Sequence, residues 1–191
     1  QRAERLPVPP MQKLDKLALL ALLAALLAWV AFPEAPTAGV LLILAGGMHL
    51  VRLARWCGLA TRSEPLVWVL HLGYLFVPLG ALALGAALVT QAAHLAAASL
   101  HVWTIGAIGT MTLAVMTRAT LGHTGAALTA DTGSVVIYLA MPVALVCRLV
   151  AASADAPELW HMASGLAWFV GFLGFTLLYG PRLLRPRPPK D

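Results

Sequence analysis

Six long apolar runs, separated by short segments rich in proline, glycine or charge, set the strongest limit on how this chain can fold. They cover residues 17–32, 36–55, 65–89, 94–117, 133–150 and 157–179. A helix of about 20 apolar residues crosses the hydrocarbon core of a bilayer. In lipid only helices or closed barrels pair every backbone N–H and C=O, and these runs are too long and continuous for barrel strands. The expected fold is all-α, a polytopic transmembrane bundle of six helices. Residues 1–16 form an N-terminal segment, 17–180 the transmembrane domain and 181–191 a basic tail. Composition agrees: 60% of the 191 residues are hydrophobic and 11% charged. That is too little charge to clothe a water-facing surface, which excludes an ordinary soluble enzyme, a disordered chain and a disulfide-stapled secreted domain. The first run follows Lys13 and Lys16 like a signal sequence but lacks a small-residue cleavage site, so it is read as a retained helix.

Charge supplies the orientation. Arg2, Arg5, Lys13 and Lys16 precede the first run, and Arg52, Arg55 and Arg62 fall between the second and third. Arg118 follows the fourth, and Arg182, Arg185, Arg187 and Lys190 follow the sixth. With alternating connections all of these share one side, and Arg148 alone falls on the other. The excess of Lys and Arg marks the cytoplasmic side, so both termini are expected inside. The net charge of +5 therefore serves membrane topology; no basic face interleaved with aromatics suggests nucleic acid. Cys57 and Cys147 are expected on opposite sides, which argues against a disulfide, and no CxxC spacing occurs.

Within the runs, small residues recur four apart at Gly106, Thr110 and Ala114, and at Ala163, Ala167 and Gly171, a spacing that permits close helix contact in lipid. Mere richness in alanine and glycine produces the same pattern. Pro78 and Pro142 each remove a backbone bond and predict kinks.

Histidine is the ionisable residue inside the runs: His49, His71, His101 and His161. Such a group in a membrane span points to function, or to an interhelical hydrogen bond through neutral imidazole. Neutral imidazole also ligates haem iron and copper. Depth permits an inner pair, His49 with His71, and an outer pair, His101 with His161. His94 reads as an interfacial side chain. In the fourth run His101, Thr104, Ile105, Ile108, Thr112 and Val115 share one face at helical spacing, partly polar unless the threonines bond back to their own helix. Arg118 then ends that run, where a cation favours the helix dipole. His123 follows in a loop flanked by Gly122 and Gly125. The two could meet an anionic group such as a haem propionate, or the histidine is simply solvated.

The stretch HVWTIGAIGTMTLAVMTRATLGHTG, residues 101–125, resembles the signature of the NnrS family. PLVWVLHLGYLFVPLG (65–80) and YGPRLLRPR (179–187) resemble its preceding helix and its C-terminal end. The resemblance covers roughly residues 50–187. It implies a bacterial inner-membrane protein linked to nitric oxide and denitrification, with haem b and copper as cofactors. It implies His71, His101 and His123 as the metal-carrying residues, with Arg118 as electrostatic partner and His49 as a further cofactor contact. Ala126 stands where the family usually has arginine, and family members are longer, with a His-rich motif absent here. The chain thus resembles a C-terminal half, whose partners would be the lipid bilayer and either the missing half or another membrane subunit. Two other function classes stay open: a transmembrane b-type haem electron-transfer module, and a cofactor-free transporter or assembly subunit. Catalysis of the soluble-enzyme kind is not indicated, since no nucleophile–base signature, phosphate loop or paired carboxylates occur.

Overall fold

The computed structural model describes residues 11–184. Arg2, Arg5, Arg185, Arg187 and Lys190, which contribute to the orientation argument, lie outside the described residues. Six helices run through the rest: α1 (Lys13–Ala31), α2 (Pro36–Ala54), α3 (Pro65–Val89), α4 (Ala93–His123), α5 (Thr132–Ala151) and α6 (Pro157–Leu183). Each is long and apolar enough to cross a membrane, and no strand occurs among the described residues. A short 3-10 turn, Gly58–Thr61, lies between α2 and α3.

The helix starts follow from local chemistry. Pro36, Pro65 and Pro157 each open a helix, where the missing N–H has no intrahelical partner to lose. Asp131 caps α5: its Oδ1 accepts from the Ser134 backbone N–H at 2.8 Å and from the Ser134 hydroxyl at 2.7 Å. Two boundaries differ from expectation. Helix α1 begins at Lys13, four residues early, where the Gln12 N–H donates to Asp15 Oδ2 at 2.9 Å, and this carries Asp15 into the bundle. Helix α4 runs past Arg118 to His123, so His123 closes a helix instead of riding on a loop. The stop is Gly125, at φ +69°. The Ala126 N–H reaches back to the Leu121 carbonyl at 3.0 Å and the Gly125 N–H to Gly122 at 3.4 Å, a pairing that needs a left-handed residue between.

Consecutive helices pack in order, with α3 and α4 central and α1 and α6 peripheral. Ala25, Ala38, Leu42, Ala45, Ala81 and Leu84 form one core among α1, α2 and α3. Val69, Leu113, Tyr138, Met141 and Phe175 form another among α3 to α6. The outer surfaces carry exposed apolar side chains, such as Leu20, Leu27 and Val30 on α1 and Leu159, Met162 and Leu166 on α6. Lipid, not water, is the solvent such a surface suits.

Gly106, Thr110 and Ala114 are all buried, and Gly106 sits against Phe76 and Leu145. In the second stripe Gly171 is buried while Ala163 and Ala167 are only half-buried. Both α3 and α5 continue through Pro78 and Pro142. Inside α4, Val102–Gly109 is a π-helix. The six residues read as one face, His101, Thr104, Ile105, Ile108, Thr112 and Val115, are all exposed or half-buried, so that face looks outward from the bundle. Thr104 bonds back to the Leu100 carbonyl at 3.2 Å, and Trp103 turns to α3, donating Nε1–H to the Val77 carbonyl at 2.9 Å.

Two predictions test this packing. A Cβ at Gly85 would lie 2.6 Å from the Gly39 carbonyl oxygen, which is backbone and cannot yield cheaply. Gly85→Ala should cost about 1–3 kcal/mol in detergent unfolding. Gly165→Ala, with nothing within 4 Å, should be neutral or slightly stabilising. Asp131→Ala should cost about 1 kcal/mol through the lost cap. The Ser134 N–H and hydroxyl, with Arg182 adding charge, hold the Asp131 carboxyl below its ordinary range. Its stabilisation is therefore complete above the unfolded value of about 3.9 and is lost as pH falls through the lower native value. The melting-temperature gap between wild type and Asp131→Ala should narrow only below about pH 4.

Candidate functional site

Polar side chains inside the bundle gather at the end that carries Lys13, Arg52, Arg118 and Arg182, the basic end. Arg52, in the last turn of α2, donates Nε–H to Asp15 Oδ1 of α1 at 2.9 Å and Nη1–H to the Tyr74 hydroxyl oxygen of α3 at 2.6 Å. Its guanidinium lies over the rings of Trp56 and Tyr74, 4.9 and 5.4 Å from their centroids. One turn earlier on α2, His49 is fully buried. A carbonyl can only accept, so His49 Nε2–H donates to Ala18 O at 3.0 Å. Nδ1 is then left to accept from the Tyr74 hydroxyl at 2.5 Å. Asp15, Arg52, Tyr74 and His49 thus form one directed chain of hydrogen bonds that ties α1, α2 and α3 together. Arg55 adds a bond to Gln12 Oε1. Sequence reasoning left Asp15 in the N-terminal segment, used Arg52 only for orientation and gave Tyr74 no part in a site. The available signal was the three-residue spacing of His49 and Arg52, which sets both on one helix face.

His71 stands beside this network, its ring 6.1 Å from that of Trp56 and in contact with the backbone at Gly58. Nδ1–H donates to the Val67 carbonyl, four residues back, at 3.1 Å. The lone pair on Nε2 has no partner among the described residues. His101 is anchored the same way, Nδ1–H to the Ala97 carbonyl at 2.9 Å, but its Nε2 accepts from Arg148 Nε at 3.0 Å. His123 and Arg118 are exposed at the basic end, and His94 and His161 are exposed as well.

The predicted metal set does not converge. Gly73 packs on Met111 and Gly80 on Trp103, which puts His101 level with a point about eleven residues along α3 from His71. At 1.5 Å per residue the two lie roughly 16 Å apart along the bundle. No group of three His, Cys, Asp or Glu that could hold a metal occurs among the described residues. Of the outer pair, His101 bonds Arg148 of α5 and His161 is exposed. In the inner pair, both His49 nitrogens are occupied, and the rings of Tyr74 and Trp56 link it to His71.

A histidine ligand to haem iron or copper needs one nitrogen lone pair free, with the other N–H held by a carbonyl or carboxylate. His71 meets both conditions. His123 is accessible but unanchored. His49 fails, and His101 meets them only if Arg148 moves.

The Asp15–Arg52 pair is the most consequential contact in this region, with both side chains largely withdrawn from solvent. Asp15→Asn or Arg52→Gln alone should each lower the melting temperature, because each leaves the other charge without its counter-ion. The double substitution should cost clearly less than the sum, in a double-mutant cycle followed by thermal unfolding in detergent.

No match to a curated protein or to a solved structure was found. A family model described as NnrS protein matches residues 1–187, nearly the whole length and well beyond the region whose motifs first suggested it. Six membrane-length helices, the short-loop bundle and that match agree, and the chain belongs to the NnrS family.

Proposed function

We propose that this chain is a multi-pass protein of the bacterial inner membrane that binds haem and acts in the response to nitric oxide. The basic end would face the cytoplasm. The observation that carries the reading is His71: an intramembrane imidazole oriented by a backbone carbonyl, with an uncommitted Nε2, beside Trp56 and Gly58. Haem b would be held there and would supply an iron centre able to take up a diatomic ligand. Copper is the other metal that imidazole suits. His123 and Arg118 lie at the same end of the bundle, where a second imidazole and a cation for a propionate would be needed. His101 lies too far along the bundle to share that centre, and its Nε2 is held by Arg148.

Purified chain in detergent, reconstituted with haem, should show a Soret band shifted from that of free haem. His71→Ala should lose it and His161→Ala should keep it. An unshifted band in the wild type, or the same band from His71→Ala, removes the ligand assignment.

The hydrogen bonds at His49 and His101 favour a second reading, a cofactor-free transporter or assembly subunit whose imidazoles join helices. Protein purified from haem-replete cells would then be colourless, with no iron or copper by metal analysis.

A further inference from the structure

Arg148 is the one Lys or Arg of the described residues that stands at the end opposite the basic end. Its environment is the reverse of that of Arg52. Arg52 has a carboxylate, a phenolic oxygen and two aromatic faces. Arg148 has a single partner among the described residues, the neutral imidazole of His101, bonded through Nε. No carboxylate lies within salt-bridge distance, since the sole salt bridge among the described residues is Arg52–Asp15. A guanidinium in a membrane span keeps its charge, and an imidazole lone pair satisfies one N–H without neutralising it.

The geometry also fixes the group. Ala97 O holds His101 Nδ1–H, so the ring cannot turn, and the ring in turn holds Arg148 Nε. The Nη edge, with four N–H donors, is left half-buried and unpartnered among the described residues. A guanidinium anchored at Nε presents that edge as a planar fork, which matches two oxygens of one tetrahedral oxyanion. Arg148 lies three residues inside the end of α5 at Ala151, about 5 Å along the helix axis. Its flanking residues Val146, Leu149 and Val150 are exposed and apolar. The fork therefore opens at the depth where hydrocarbon gives way to headgroups.

We infer that Arg148, oriented by His101, is a binding site for a phosphate-type oxyanion at the membrane boundary on the side opposite the basic end. Two sources share that chemistry, the phosphodiester of a phospholipid headgroup and free inorganic phosphate. The bland explanation, that a cation near a helix C-terminus favours the dipole, accounts for charge but not for the fixed orientation through His101. The site is independent of haem.

The test uses the full chain, haem-free, in a phosphate-free maltoside detergent. Short-chain phosphatidylglycerol and inorganic phosphate are titrated separately, with binding read by native mass spectrometry and by the shift in melting temperature. Saturable binding of the lipid that inorganic phosphate does not displace identifies the headgroup as source. Saturable binding of phosphate that competes with lipid identifies the free anion. In either case Arg148→Gln should weaken binding at least tenfold. Arg148→Lys, which keeps the charge but not the fork, should weaken it severalfold, and it serves alone if Arg148→Gln does not fold. His101→Ala should weaken it less than Arg148→Gln. The assignment is overturned if neither probe binds saturably to wild type, or if Arg148→Lys binds as wild type does.

Discussion

Hydrocarbon offers no hydrogen bonds, and every feature of this bundle answers to that fact. The backbone is helical because each N–H and C=O must be satisfied within its own span. Where the chain does carry charge into the bundle, it brings a partner from another helix. Arg52 is the clearest instance: Asp15 from α1 and Tyr74 from α3 converge on it, and two aromatic rings cover its faces. Because Arg52 and its partners come from three helices, neutralising the charge and assembling the N-terminal half of the bundle are one event.

The same solvent rule sorts the histidines. His49 is silent as a ligand because both of its nitrogens already answer to the chain, one to Ala18 and one to Tyr74. His101 is tied to Ala97 and Arg148. His71 is held at one nitrogen only, and its other lone pair is the feature on which the haem reading rests. Four imidazoles that look equivalent along the chain therefore carry different chemistry, and what separates them is where the second nitrogen goes. At the basic end of the other half of the bundle, Thr117 bonds Tyr138, and Ser134 bonds Asp131 and Tyr179. These pairs act as struts between α4, α5 and α6.

The number of spans, their order and the choice of helix over barrel were legible in the run lengths, since backbone satisfaction in lipid depends on local sequence alone. The close contact at Gly106, Thr110 and Ala114 was legible from their four-residue spacing. The π-helical segment Val102–Gly109 inside α4 was not, because a wider turn leaves no mark in hydropathy. The end of α4 was misplaced by taking Arg118 as a stop, when the left-handed Gly125 is what terminates it.

Sequence alone determined the solvent of this protein, its six helices, the asymmetry of its basic residues and, through the motif from His101 to Gly125, its family. Tertiary structure alone decided which imidazoles are spent on hydrogen bonds, that Asp15 is drawn inside, and that His71 and His101 sit at different depths. The reason is physical: hydropathy and backbone pairing are summed along the chain, whereas the partner of a buried polar atom comes from a helix distant in sequence. That partner is set only when the helices have packed.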